Sequence, residues 1–261
     1  MNILESLVLG IVEGLTEFLP VSSTFHLIVT SKILNIESSE FVKLFEVVIQ
    51  SGAISALLFL YTKTLLQDYK LFKHVIISFI PTAVVGLIFH RIIKSVFFES
   101  NWLILSAFTI VGILFILLEK SYFKQGVQLK KSCTDLTSWQ AMGIGLAQAI
   151  SVIPGVSRAG SVIVAMMLMG YKRAEAAKYT FLLSLPTIFA ASALDLYQGR
   201  ELLARVDSGW TLIFAGFLAA LFSAYFVVKW LIAYLSNHTL EIFGWYRLCL
   251  AAILLVTKAL S

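Results

Sequence analysis

The sequence predicts an all-α protein that crosses a membrane several times, built as an inverted repeat of two halves. Three observations predict it. Of 261 residues, 59% are hydrophobic and 13% are charged, about half the charged fraction of an ordinary soluble domain. The apolar residues fall in separate runs near the ~20 residues a spanning helix needs, and continuous rather than alternating runs exclude a β-barrel. Finally, the chain aligns on itself without a gap at an offset of 135 residues, which sets Gly10 on Gly145, Ser22 on Ser157, Glu40 on Glu175 and Lys43 on Lys178.

Taken in order, the chain opens with an apolar run from Ile3 to Leu34 that is interrupted near Pro20. Spans follow at about Phe41–Leu60, Val75–Phe97 and Trp102–Leu118, the second ending in His90, Arg91 and Lys94, suited to lipid phosphates. A polar loop over Glu119–Ser138 leads to a second interrupted run, Trp139–Met169, broken at Pro154-Gly155. Spans at about Ala176–Leu196, Trp210–Leu235 and Phe243–Ala259 complete the count, with Asp195 and Arg200 read as a solvated loop and Trp139, Trp210 and Trp245 as interfacial anchors. The reading is therefore one integral membrane domain of six spans, with repeat 1 over about 1–118 and repeat 2 over about 139–259.

Proline removes a backbone donor and disfavours helix in the residue before it. Irregular backbone at membrane depth survives only inside protein or against a wet cavity. Each interrupted run is thus expected to be a re-entrant helical hairpin that leaves the membrane on the face it entered. Each half then crosses three times, and an odd number of crossings inverts the second half relative to the first. Inverted repeats of this kind put a site near the midplane, where broken helices meet.

The net charge of +5 sits in short loops, where Lys and Arg set orientation and touch anionic lipid. It is not a nucleic-acid footprint. Lys63, Lys70, Lys73, Lys120, Lys124, Lys130, Lys131, Lys172, Arg173 and Lys178 mark one face as cytoplasmic, against Lys32, Lys43, Lys94, Arg200, Arg205 and Lys258 opposite. Both termini are then expected outside. Cys133 and Cys249 have no metal-ligand spacing, and the N-terminus has no cleavable-signal pattern.

The chemistry lies in the two hairpins. Glu13 and Glu17 are four apart, stacked on one helix face, and each acid costs about 2.5 to 3.5 kcal/mol at bilayer depth. A cation or a shared proton must offset them. Ser22, Ser23 and Thr24 follow Pro20, with His26 close behind. In the second hairpin Arg158 stands among Gly155, Ser157, Gly160 and Ser161, where a helix restarts and its free N–H groups and dipole favour an anion. Arginine adds a planar fork matched to phosphate. If the tips meet, acids, imidazole, hydroxyls and guanidinium converge in an inventory suited to phosphoryl chemistry. The acids serve there as metal ligands or base, and His26 or a serine as nucleophile or proton carrier.

These residues carry a family resemblance. Glu13, Glu17 and Pro20-Val21-Ser22-Ser23-Thr24-Phe25-His26, with Pro154-Gly155-Val156-Ser157-Arg158-Ala159-Gly160-Ser161-Val162, resemble the two motifs of the undecaprenyl-diphosphate phosphatase family of the BacA type. The resemblance covers nearly the whole chain. It implies a plasma-membrane enzyme that removes one phosphate from a polyprenyl diphosphate and recycles the carrier for cell-wall synthesis. It implies a divalent cation, Mg2+ or Ca2+, at Glu13 and Glu17, with Ser23 and His26 catalytic and Ser157 and Arg158 binding phosphate. Membrane lipids and a homodimer are the further partners considered. The chain departs from the motifs where Phe25 replaces Gly, Ala159 replaces Ser and Val162 replaces Thr. The competing class is a non-hydrolytic polyprenyl-phosphate transporter using the same midplane site, although a carrier of anions has little need of two stacked carboxylates.

Overall fold

A computed structural model describes residues 1–92, 100–123 and 129–257. Lys94, Lys124 and Lys258, counted above toward orientation, lie outside the described residues, as do the side chains of His90 and Arg91. The described chain is helical: α1 (Ile3–Thr16), α2 (Ser23–Ile33), α3 (Glu40–Gln67), α4 (Tyr69–Ile92), α5 (Asn101–Leu117), α6 (Ser138–Ala149), α7 (Arg158–Leu168), α8 (Arg173–Arg205), α9 (Gly209–Asn237) and α10 (Glu241–Thr257).

Length divides these helices into two kinds. Five helical stretches, Glu40–Lys63, Tyr69–Phe89, Asn101–Phe123, Arg173–Arg205 and Gly209–Asn237, are long and apolar enough to cross a membrane. The sixth expected span corresponds to α10, which has 17 described residues and falls short of that length. The helices α1, α2, α6 and α7 have 14, 11, 12 and 11 residues. At about 1.5 Å per residue they are only ~16–21 Å long, too short for a ~30 Å hydrocarbon layer. Large side chains such as Phe59, Leu87, Phe214 and Phe226 remain exposed on the long helices, a surface suited to lipid rather than water. This is a multi-pass membrane protein.

Two of the expected loops are ordered helix. Asp195 and Arg200 belong to α8, which runs on to Arg205. Leu203 and Leu196 pack there with Leu44 and Phe45, and Gly199 leaves room for the Leu44 side chain, so apolar contact carries the helix past the expected end of its span. Similarly, α5 continues as a π-helical turn over Leu118–Phe123. Glu119 in that turn is buried, receives both guanidinium arms of Arg173, and accepts the Leu240 amide at 2.9 Å.

The short helices pair as hairpins, α1 with α2 and α6 with α7, and each first arm packs on a long helix from the other half: α1 on α9, α6 on α4. Reciprocal capping boxes start both first arms, Asn2 with Glu5 and Thr137 with Gln140. Small residues then let backbones approach. A Cβ on Gly10 would lie 2.3 Å from the Gly216 carbonyl, and one on Gly145 2.2 Å from the Ser78 carbonyl. The second arms, α2 and α7, follow N-cap residues Ser22 and Ser157, which have positive φ of 66° and 75°. The basic segments gather at one end of the bundle, where Lys70 donates to the Thr134 carbonyl at 2.9 Å and the Cys133 amide to Glu175 at 2.8 Å.

The seam between α1 and α9 yields a stability prediction. Gly10→Val forces the two backbones apart and is expected to cost about 1 to 3 kcal/mol, the usual penalty of overpacking, read as a lowered unfolding midpoint in detergent. An unchanged midpoint would contradict such close approach.

Candidate active site

The two helix breaks meet inside the protein. α1 ends at Thr16 and the chain turns through Glu17–Val21 before α2 begins. Opposite it, α6 passes through a 3-10 turn at Ile150–Val152 and breaks at Pro154-Gly155 before α7. Across the gap the Arg158 guanidinium donates from Nη2 to Glu17 Oε1 at 2.9 Å. The other carboxylate oxygen, Glu17 Oε2, accepts the Ser23 hydroxyl. Ser23, Glu17 and Arg158 thus form one continuous chain of charge-assisted contacts spanning the two hairpins.

Glu13 stands beside this chain. It is 0% exposed, lies directly against the Glu17 carboxyl, and no N–H or hydroxyl donor reaches either of its carboxylate oxygens. Arg158 likewise keeps Nε and Nη1 unpartnered although both are buried. Unused acceptors on Glu13 and unused donors on Arg158, either side of Glu17, suit something bearing both a cation and an anion. Glu46 on α3, held by the Ser31 hydroxyl at 3.1 Å, adds a further carboxylate to this neighbourhood. Among the described residues, no group of three acidic, His or Cys side chains could cage a metal unaided.

His26 takes a different direction. Its Nδ1–H donates to the Ser22 carbonyl at 2.8 Å, and since a carbonyl only accepts, Nε2 holds the lone pair. The Tyr246 hydroxyl meets that nitrogen at 2.7 Å, and the two rings lie nearly parallel. The imidazole therefore borders the Glu17 cluster without bonding to it. Phe25, which replaces the glycine of the motif, stacks on Phe108 with centroids 3.9 Å apart. Its ring fills α5 packing and leaves His26 free to reach Tyr246.

The remaining expected residues divide. Ser157 caps α7 by accepting the Gly160 amide at 3.2 Å, and Ser161 donates to the Ser157 carbonyl at 3.1 Å. Ser22 occupies the N-cap position of α2 without a side-chain cap bond, and Thr24 is half-buried in the first turn. The two glycines pack against α5. A Cβ on Gly155 would meet the Ile104 carbonyl at 2.4 Å and one on Gly160 the Phe115 ring at 2.6 Å. What their missing side chains admit is helix α5. Ala159 and Val162 are fully packed. Gln148, the amide aligned with Glu13, donates to Thr82 and Thr187 at 2.9 and 3.2 Å.

Two residues escaped the sequence reading. Tyr246 gives no signal of its own in an aromatic-rich run. Arg247 does: a single arginine inside the apolar run Phe243–Ala259 is unusual at membrane depth. It is 0% exposed, and its guanidinium donates to main-chain carbonyls of both hairpin tips and of α5.

The Arg158–Glu17 pair is testable as a coupled unit. Glu17→Gln or Arg158→Met alone leaves a buried charge without its partner and is expected to cost about 3 to 5 kcal/mol. The double variant is expected to recover part of that loss, measured as unfolding free energies in a mutant cycle. Simple additivity would mean the two side chains do not touch.

Known proteins can be set against this geometry. The family described as bacitracin resistance protein BacA matches residues 6–253. A protein of Aquifex aeolicus named undecaprenyl-diphosphatase is 41% identical over 249 residues, covering 95% of this chain and 96% of its own. One of Persephonella marina with the same name is 41% identical over 256 residues, covering 98% and 99%. One of Methanococcus aeolicus, again so named, is 36% identical over 256 residues, covering 98% of each. With hairpin tips, carboxylate pair and guanidinium all inside the matched region, the chain belongs to the BacA family.

Proposed function

We propose that the protein hydrolyses undecaprenyl diphosphate to undecaprenyl phosphate and inorganic phosphate. The observation that carries this is the Ser23–Glu17–Arg158 chain, which joins a hydroxyl, a base and a phosphate-matching cation across the two hairpins of a BacA-family chain. The relatives' shared name supports the substrate.

In this reading the unpartnered Nε and Nη1 of Arg158 take the terminal phosphoryl oxygens, aided by amides at the start of α7. Ser23 is the attacking group. Its hydroxyl already donates to Glu17, whereas the His26 Nε2 is occupied by Tyr246. Glu17 takes the Ser23 proton as Oγ bonds to the terminal phosphorus, the bond from that phosphorus to the bridging oxygen breaks, and the lipid monophosphate leaves with the proton that Glu17 passes on, returning Glu17 to its ionised form. Water then attacks the phosphoserine, giving its proton to Glu17, and the serine leaves with a proton as inorganic phosphate forms. Arg158 neutralises charge on the phosphoryl oxygens in both steps.

A divalent cation fits the donor set, because the two free oxygens of buried Glu13 beside Glu17 are ligands of the hard kind that Mg2+ or Ca2+ selects. Glu13 and Glu17 would hold it, with diphosphate oxygens making up the count. Bound there, it would supply charge neutralisation for the diphosphate.

The architecture we infer is six spans in two inverted halves, with α10 as the sixth. Support comes from matched pieces at the 135-residue offset: 11-residue arms whose N-caps, Ser22 and Ser157, have positive φ, and reciprocal packing of α1 on α9 and α6 on α4. The short arms suit re-entrant hairpins, and the gathered basic end suits the cytoplasmic face of the plasma membrane, with both termini outside.

Purified protein in detergent, given undecaprenyl diphosphate and Mg2+, is expected to release phosphate. Glu17→Ala and Arg158→Ala should each lower kcat by about 10² to 10³-fold, and a chelator should abolish release reversibly. Absence of release from folded protein would overturn the reading.

A further inference from the structure

We propose that Arg247 is the positioning residue that ties the two hairpin tips together and sets the approach of Arg158 to Glu17. Its Nε donates to the Pro20 carbonyl at 2.9 Å, its Nη1 to those of Gly155 at 2.9 Å and Phe108 at 3.1 Å, and its Nη2 to that of Val156 at 3.2 Å. The rings of Phe108 and Phe115 stand 4.7 and 5.4 Å from the guanidinium carbon. Among the described residues no carboxylate pairs with it.

A buried cation held only by carbonyls is a costly way to fill space, and an apolar side chain of similar volume would serve better if packing were its whole task. What an apolar residue cannot do is bridge. Three of the carbonyls Arg247 reaches, those of Pro20, Gly155 and Val156, belong to the stretches where helix has stopped and have lost the intrahelical donors that would otherwise satisfy them, while the fourth, that of Phe108, belongs to α5. Pro20 lies three residues from both Glu17 and Ser23, and Gly155 three from Arg158. One rigid planar fork therefore spans the tip that carries the acid, the tip that carries the base-paired guanidinium, and helix α5 behind both. Lysine, a point donor, cannot span all of these at once. Displacing either tip moves Arg158 relative to Glu17, and a shift of about 1 Å in catalytic geometry can cost about 10²-fold in rate. The kinetic part of the inference rests on the phosphatase reading; the tying of the tips does not.

Hydrogen–deuterium exchange by mass spectrometry on the full chain in detergent, with kcat and KM in parallel, tests both parts. In Arg247→Met, exchange in peptides covering 17–23 and 153–158 is expected to rise roughly ten-fold or more while α3 and α8 stay at the wild-type level. The kcat should fall about 10²-fold with KM changed little. Arg247→Lys should fall between, and it decides the matter by the same readout if the methionine variant does not fold. Wild-type exchange at both tips, or an even rise across all helices, would overturn the proposal and leave Arg247 a general prop. If the wild type releases no phosphate at all, the phosphatase reading fails, and exchange at the tips alone decides the role of Arg247.

Discussion

A helix that stops inside a protein leaves amides and carbonyls that nothing in its own backbone can satisfy. This chain stops two helices in one place, at Glu17–Val21 and at Ile153–Ser157, away from bulk water. The guanidinium of Arg247 takes up carbonyls from both breaks and from α5, and Gly155 and Gly160 bring the second hairpin close against α5. The rest of the site depends on that solution. Only once the breaks are held together can a side chain from one tip touch a side chain from the other.

The charges then arrange themselves by need. Arg158 has Glu17 as its partner, Glu17 has Ser23 as well, and Glu13 has neither a donor nor solvent. A buried carboxylate in that condition is an expense that folding alone does not explain. The same holds for the two idle nitrogens of Arg158. A diphosphate with its counter-cation would answer both, and this complementarity connects the fold to the chemistry proposed for it. His26, by contrast, is satisfied at both nitrogens, which is why the serine rather than the imidazole is the better candidate to meet phosphorus.

Much of this was legible in the sequence for one reason: charged and helix-breaking residues inside apolar runs have no cheap explanation. Glu13, Glu17, Arg158, Pro20 and Pro154 all announced themselves that way, and so did the five long apolar helices. Other features depend on partners that spacing does not reveal. Arg247 carried the same signal, yet its meaning lies in carbonyls of three distant segments. That Gly155 and Gly160 let α5 come close is likewise invisible in spacing. Nor does spacing show that Phe25, where the motif has Gly, stacks on Phe108. The end of α8 was misjudged because Leu203 finds a tertiary contact that local polarity conceals.

The central claim is that the two hairpin tips meet so that Arg158 pairs with Glu17. Solid-state NMR on protein in lipid bilayers, labelled with 13C at glutamate and 15N at arginine, measures that contact directly through dipolar recoupling. Arg173→Lys and Arg205→Lys together remove the competing pairs with Glu119 and Glu201 from the spectrum. The account predicts a strong carboxylate–guanidinium coupling, within the ~4 Å of a contact ion pair, that disappears in Arg158→Lys. A spectrum without that coupling, or one that Arg158→Lys leaves unchanged, would contradict it.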